Sequence, residues 1–72
     1  MTAVSVLQLP VEQILRDNPI PALRQLRVEE DDQVIVISGS VSSYYLKQMA
    51  QEAIMPFRGS RNLHNRVNVV RN

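Results

Sequence analysis

The chain has 72 residues, a formal net charge of +1 at neutral pH and no cysteine. A chain of this length has room for one small core, and it buries only about 60% of the surface that its unfolded form exposes. The lack of cysteine excludes disulfides and thiolate chemistry, and the single histidine, His64, cannot supply the three or four ligands of a zinc site. We therefore expect no catalytic residue, no metal, no cofactor and no small-molecule substrate.

Charges are distributed unevenly along the chain. Residues 1–39 contain three arginines and six carboxylates, whereas residues 40–72 contain five cations and one carboxylate. This asymmetry weakly indicates an anionic partner for the C-terminal half. A solvated surface whose charges happen to be sorted by sign is the simpler explanation.

The first nine residues carry no charged side chain and lack the basic start of a secretory signal peptide. No stretch approaches the ~18 apolar residues of a membrane span. We interpret residues 1–9 as an N-terminal arm, either flexible or covering the sheet, and residues 10–72 as one domain. As written the chain is expected in the cytoplasm, and in the periplasm if it is a piece of an exported protein.

Residues 10–17 are predicted to form a short first helix. Proline suits the start of a helix, and the apolar residues that follow Pro10 fall at i, i+3 and i+4 on one face. Pro19 ends this helix, since it forces the preceding residue out of the helical region. Pro21 is expected to keep the chain extended.

Two strands and a hairpin are predicted next. Apolar and polar residues alternate from Leu26, which indicates a half-buried strand, and the acidic residues 29–32 suit the solvated tip of a hairpin. Residues 34–38, VIVIS, are apolar on both faces and favour a central strand. Gly39 interrupts it, as a bulge or a place of close backbone approach.

A second helix is predicted from Tyr44 to about Met55. Ser42 or Ser43 can cap its start, while Pro56 and Gly59 mark its end. One apolar stripe along it is expected to face the core. Its members are Leu46, Met49, Ala50, Ala53, Ile54 and Phe57.

The last segment, RNLHNRVNVV, alternates as a third strand, with Asn65 anomalously on its inward face. The resulting order, α-β-β-α-β, predicts an α+β domain with two layers, in which two helices pack on one face of a three-stranded sheet. The other sheet face is expected to remain open. It should present Arg27, Glu29, Val34, Val36, His64, Arg66 and Asn68.

Three groups of residues in this pattern carry a resemblance to a known family. The pattern of that family is Leu-Ser-Gly-x-Val after a strand, then an Ala-rich helix, then Gly-Val-x-x-Val-x-Asn-x-Leu-x-Val. The matching residues are Ile37, Ser38, Gly39 and Val41, then Ala50 and Ala53, then Gly59, Leu63, Asn65, Val67 and Val69. Over roughly residues 11–70 the chain resembles the BON domain, named for bacterial osmotic-shock and nodulation proteins. It departs from the pattern at Phe57, Arg58 and Ser60.

The resemblance implies a non-enzymatic binding module of a bacterial protein, directed to anionic phospholipid or the cell envelope. It implies that Gly39 has a structural role in the backbone and does not bind a ligand. The single glycine of SGSVSS does not make a phosphate-binding loop. Asn65 would be a structural asparagine whose amide hydrogen-bonds the backbone near the Gly59 turn.

Lipid contact is expected from residues on and after the second helix. Tyr44 and Met55 should be exposed opposite the core stripe, with Lys47 on the flank, and three arginines could add attraction to an anionic surface. The residues assigned to this contact are Tyr44, Lys47, Met55, Arg58, Arg61 and Arg66.

The alternative is a module for protein–protein interaction or self-association that uses the open sheet face. Val34 and Val36 would form its apolar centre, beside His64, unless the N-terminal arm covers them. Nucleic acid is disfavoured because a KH-type clamp needs a Gly-x-x-Gly loop, and RGSRN has one glycine.

Overall fold

The structure, a computed structural model, describes residues 10–70. The predicted arm, residues 1–9, lies outside the described residues, as do residues 71 and 72. The elements are α1 (Val11–Arg16), α2 (Pro21–Arg24), β1 (Arg27–Glu30), β2 (Val34–Val41), α3 (Tyr44–Ile54), a 3-10 turn (Met55–Phe57) and β3 (Asn62–Val69).

The sheet has the strand order β1-β2-β3, with β1 antiparallel and β3 parallel to the central strand β2. The helix α3 connects the two parallel strands, as a parallel pair requires. Both α1 and α3 contact the sheet and each other. These features confirm the predicted α+β fold and its order α-β-β-α-β.

The core lies between the helices and one face of the sheet. Its members come from every helix and strand and are almost fully buried. They are Val11, Leu15, Leu23, Leu26, Val28, Ile35, Ile37, Val41, Ala50, Ile54 and Val67. The odd-numbered positions of β2 point into this core, and its even-numbered positions therefore point away from it.

The prediction that Pro21 keeps the chain extended was wrong. Pro21 is the first residue of the one-turn helix α2, which brings Leu23 into the core with no exposed surface. Proline restricts the residue before it, and its fixed backbone angle suits the first helical position. Here Ile20 takes the extended conformation and Pro21 begins the turn.

Gly39 does not end the central strand, which continues to Val41. Its φ angle of +130° lies in a region that L side chains rarely adopt. A Cβ at this position would lie 2.8 Å from Cδ2 of Leu26, a buried core side chain. Gly39 is therefore a place of close approach, one of the two roles expected of it.

The helix α3 begins where its cap was expected, since the Ser43 hydroxyl accepts the Leu46 N–H at 3.3 Å. Phe57 was wrongly assigned to the core stripe. The helix gives way to the 3-10 turn at Met55, and this change of period leaves Phe57 50% exposed. Gly59 follows with a φ of +63°, in the left-handed region expected at such an end.

The β1–β2 hairpin is held by Asp31. Its carboxylate accepts the backbone N–H groups of Gln33 and Val34, at 2.7 and 2.9 Å. These two bonds favour the charged form and lower the pKa of Asp31 from its ordinary value. The acidic tip predicted from the sequence therefore contains its own turn-forming side chain.

Candidate interaction surface

The face of the sheet opposite the helices is the main candidate surface. Among residues 10–70, both α1 and α3 pack on the other face. Ten side chains project from this open sheet face, by the register of the strands. They are Arg27 and Glu29 from β1, Val34, Val36, Ser38 and Ser40 from β2, and Asn62, His64, Arg66 and Asn68 from β3.

The centre of the open sheet face is apolar and its margins are polar. Val34 and Val36 are half-buried on the central strand, while the outward side chains of both flanking strands are exposed and polar or charged. The sequence had placed Val34, Val36 and His64 on this face, and the structure brings them together. Val36 is the register partner of both Glu29 and His64.

Charge is separated along the strands of this face. Arg27 and Arg66 flank Ser38 in one row across the sheet, whereas Glu29 lies one row nearer the hairpin that carries Asp31 and Asp32. Within residues 10–70, neither Arg27 nor Arg66 forms a salt bridge. Along the strands, the two arginines thus lie on one side of Val36, and the acidic residues lie in the row of Val36 and at the hairpin.

A shallow depression of about 490 Å³ opens at the hairpin end of this face. It is lined by Asp31, Asp32, Gln33, Val34, Asn62 and His64. In the part of the chain that the structure describes, no three His, Cys, Asp or Glu side chains are grouped so that they could hold a metal ion. The depression adds concave, hydrogen-bonding surface to the open sheet face.

The six residues predicted to contact lipid do not share one surface. Arg66 lies on the open sheet face, because alternation along β3 directs it away from the helices. Tyr44 and Lys47 belong to α3, and Met55 opens the 3-10 turn, all in the opposite layer. The structure therefore separates Arg66 from the other residues of that set.

The Arg61 side chain takes part in a network of hydrogen bonds within the chain. Its guanidinium donates to the Glu30 carboxylate at 2.7 Å and to the backbone carbonyls of Phe57 and Arg58 at 2.9 and 3.0 Å. The other oxygen of Glu30 accepts the first N–H of α1, from Val11, at 2.7 Å. Arg61 thus ties the start of α1 to the end of β1 and to the turn after α3.

Arg58 belongs to the same turn, since its guanidinium donates to the Arg61 carbonyl at 2.9 Å. The Arg61 side chain is only 22% exposed, so it presents little of its charge to a membrane surface. Two of the arginines expected at a lipid surface therefore have structural contacts. No sequence signal pointed to this network, because Glu30 and Arg61 are 31 positions apart.

Along α3 and into the 3-10 turn, the exposed surface has Tyr44 and Met55 at its ends and polar side chains between them. Tyr44 and Met55 are exposed, as expected, but Gln48 and Glu52 lie between them and hydrogen-bond each other at 3.0 Å. Tyr45, which the helical pattern did not single out, is 66% exposed beside Tyr44 at 69%. The helix therefore offers a pair of tyrosines at its start rather than a continuous apolar strip.

Asn65 is half-buried on the inward face of β3, where the sequence placed it. Its amide donates to the Lys47 carbonyl of α3 at 2.9 Å, and its oxygen accepts the Val67 N–H at 3.2 Å. The prediction that this amide bonds the backbone near the Gly59 turn was wrong. An inward side chain in the middle of β3 meets the helix packed over it.

The Asn65 side chain also satisfies one backbone donor at the outer edge of β3. The N–H groups of Asn62 and Val70 point toward the central strand, since they bond to Gln33 and Val41. Alternation then directs the Val67 N–H to the outer edge of β3, where the Asn65 oxygen accepts it. This one donor of the outer edge is therefore not free to pair with another strand.

No helix among residues 10–70 reaches the length and apolar character needed to cross a bilayer. Comparison of the chain with protein-family models gives no match, and comparisons with curated proteins and with solved structures give none either. The candidate surface is therefore argued from its own geometry and charge.

Proposed function

We propose that the chain is a non-enzymatic, BON-like binding module that docks a protein on its open sheet face. The observation that carries this proposal is the arrangement of that face. Val34 and Val36 form an apolar centre on β2, and polar side chains of β1 and β3 surround them. An apolar centre with a polar rim is the usual anatomy of a protein–protein interface.

The charges of the face define the chemistry of the partner. Arg27 and Arg66 flank Ser38 and make no salt bridge within residues 10–70. Guanidinium groups in this position bind carboxylates through paired hydrogen bonds. A complementary partner presents small side chains opposite the valines and a carboxylate opposite at least one of the arginines.

Contact with anionic phospholipid is the second candidate function. Two adjacent exposed tyrosines, Tyr44 and Tyr45, favour it, because amphipathic rings lie at the headgroup level of a bilayer. Glu52 on the same helix face opposes an anionic surface, and the contacts of Arg58 and Arg61 leave Lys47 as the main nearby cation. The protein-docking proposal instead uses the ten side chains of the open sheet face.

Photo-crosslinking tests the proposed function in cells that produce the whole chain. A benzophenone amino acid is placed at His64, which is exposed on the open sheet face, or at Gln48, which is exposed on α3. We expect one discrete protein adduct from position 64 and none from position 48. The adduct from position 64 should disappear when Val36 is also replaced by aspartate, because a charge then lies at the centre of the interface.

Mass spectrometry of the adduct identifies what occupies the face. Circular dichroism of Val36→Asp confirms that this variant remains folded. Equal labelling from positions 48 and 64, or no intermolecular adduct from position 64, contradicts docking on this face. An intrachain crosslink from position 64 to residues 1–9 contradicts it as well, since the arm of the chain itself then occupies the surface.

A further inference from the structure

We infer that the protein docked on the open sheet face is a second copy of this chain, packed face to face with its strands antiparallel. This inference rests on the proposed function and adds the identity of the partner. It follows from the charge separation along the face, with Arg27 and Arg66 toward one end and Glu29, Asp31 and Asp32 toward the other. A surface with opposite charges at its two ends complements itself when rotated.

The orientation follows from the register of the strands. A two-fold axis that crosses β2 near Ile37 exchanges the row of Ser38 with the row of Val36. Arg27, which shares the row of Ser38, then lies opposite Glu29 of the partner subunit. Facing sheets lie about 10 Å apart, a gap that an arginine and a glutamate side chain span together.

The parallel orientation places like charges together. An axis along β2 lays β1 over β3 of the other copy, so that Arg27 lies opposite Arg66 of the partner subunit in the same row. This cation pair occurs twice in a symmetric dimer, and like charges at an interface cost affinity. The antiparallel arrangement instead forms the Arg27–Glu29 pair twice and places Arg66 opposite His64 of the partner subunit.

The valines do not select this arrangement, because they face serines in it, and the charges alone decide the orientation. With the axis near Ile37, Val36 lies opposite Ser38 of the partner subunit, and the two copies of Val36 are diagonal neighbours. Ten outward side chains are fewer than the roughly 20–30 residues that each side of a standard interface contributes. We therefore expect a weak dimer, with a dissociation constant on the order of 100 µM.

Sedimentation equilibrium of the whole chain, from about 10 µM to 1 mM, tests this dimer with charge-reversed variants. Arg27→Glu places a carboxylate opposite Glu29 at both pairs, and Glu29→Arg places two arginines together. Each single variant is expected to weaken association about tenfold or more. A mixture of the two variants is expected to associate as the unaltered chain does, because both pairs again join opposite charges.

Arg24→Glu is the matched control, since it makes the same change of charge on α2, in the helical layer. It should leave association unchanged, and thermal unfolding of each variant shows whether it is folded. A chain that remains monomeric over the whole range overturns the dimer. So does association that Arg27→Glu leaves unchanged, or single variants whose mixture fails to associate.

The dimer and the proposed function can fail separately. If crosslinking from position 64 gives a discrete adduct heavier or lighter than two copies of the 8.2-kDa chain, the face docks a different protein. In that case the proposed function holds and the inference of a second copy is wrong. If position 64 gives no intermolecular adduct, both are wrong.

Discussion

Replacement of Gly39 by valine is expected to lower the free energy of unfolding by about 3–5 kcal/mol. Two costs add at this position. A φ of +130° is strained for any L side chain and most of all for a β-branched one, and a Cβ would lie 2.8 Å from Cδ2 of Leu26. Leu26 has little room to move, because it is 2% exposed in a packed core.

This loss is large for a chain of 72 residues, whose total stability is expected to be about 4–11 kcal/mol. Urea unfolding followed by circular dichroism measures it. Gly59→Asn is the matched control, because Gly59 also has a positive φ but nothing lies within 4 Å of its Cβ position. Asparagine tolerates that conformation, so the control should lose about 1 kcal/mol or less. Equal losses in the two variants would show that the backbone strain and the contact with Leu26 at Gly39 together cost less than expected.

Replacement of Asn65 by leucine is expected to lower the free energy of unfolding by about 2 kcal/mol. The change removes the donor to the Lys47 carbonyl and the acceptor of the Val67 N–H. It also leaves a donor at the outer edge of β3 unsatisfied, so the variant should aggregate more readily when concentrated. Burial of the leucine side chain offsets part of the lost stability, so the expected decrease in the free energy of unfolding is moderate.

Asn68→Leu is the control for this variant, since Asn68 lies on the same strand but is exposed on the open sheet face. At dilute protein concentration its stability should lie within about 0.5 kcal/mol of the unaltered chain. Both variants are measured by urea unfolding, and light scattering reports their aggregation. An Asn65→Leu variant as stable as Asn68→Leu would contradict the structural role of the amide.

Much of the fold could be predicted from local patterns. Alternation from Leu26 and the apolar run 34–38 located β1 and the start of β2. The apolar stripe located α3, although its last predicted member, Phe57, lies beyond the helix. The errors arose where one local rule competed with another. Pro21 starts a helical turn although prolines also favour extended chain, and Phe57 falls beyond the point where the helical period changes.

The sequence could place side chains of the candidate site only where alternation along a strand decides which face of the sheet they occupy. The pattern along β3 placed His64 and Arg66 on the open sheet face, and that placement already separates Arg66 from Tyr44 on the helix. The contacts of Arg61 with Glu30 could not be predicted, because they depend on how the hairpin meets the turn after α3. Such contacts between distant segments have no periodic signal.

Amide NMR shows whether the open sheet face or the surface of α3 makes the intermolecular contact. Amide NMR spectra of the isotope-labelled chain are recorded as its concentration rises to about 1 mM, and again at low concentration with anionic or zwitterionic vesicles. We predict that the amides of Val34, Val36, Ser38 and Arg66 shift with protein concentration, and that vesicles shift none. Shifts confined to Tyr44, Tyr45 and Lys47, with anionic vesicles alone, would contradict the claim and assign the surface of α3 to lipid.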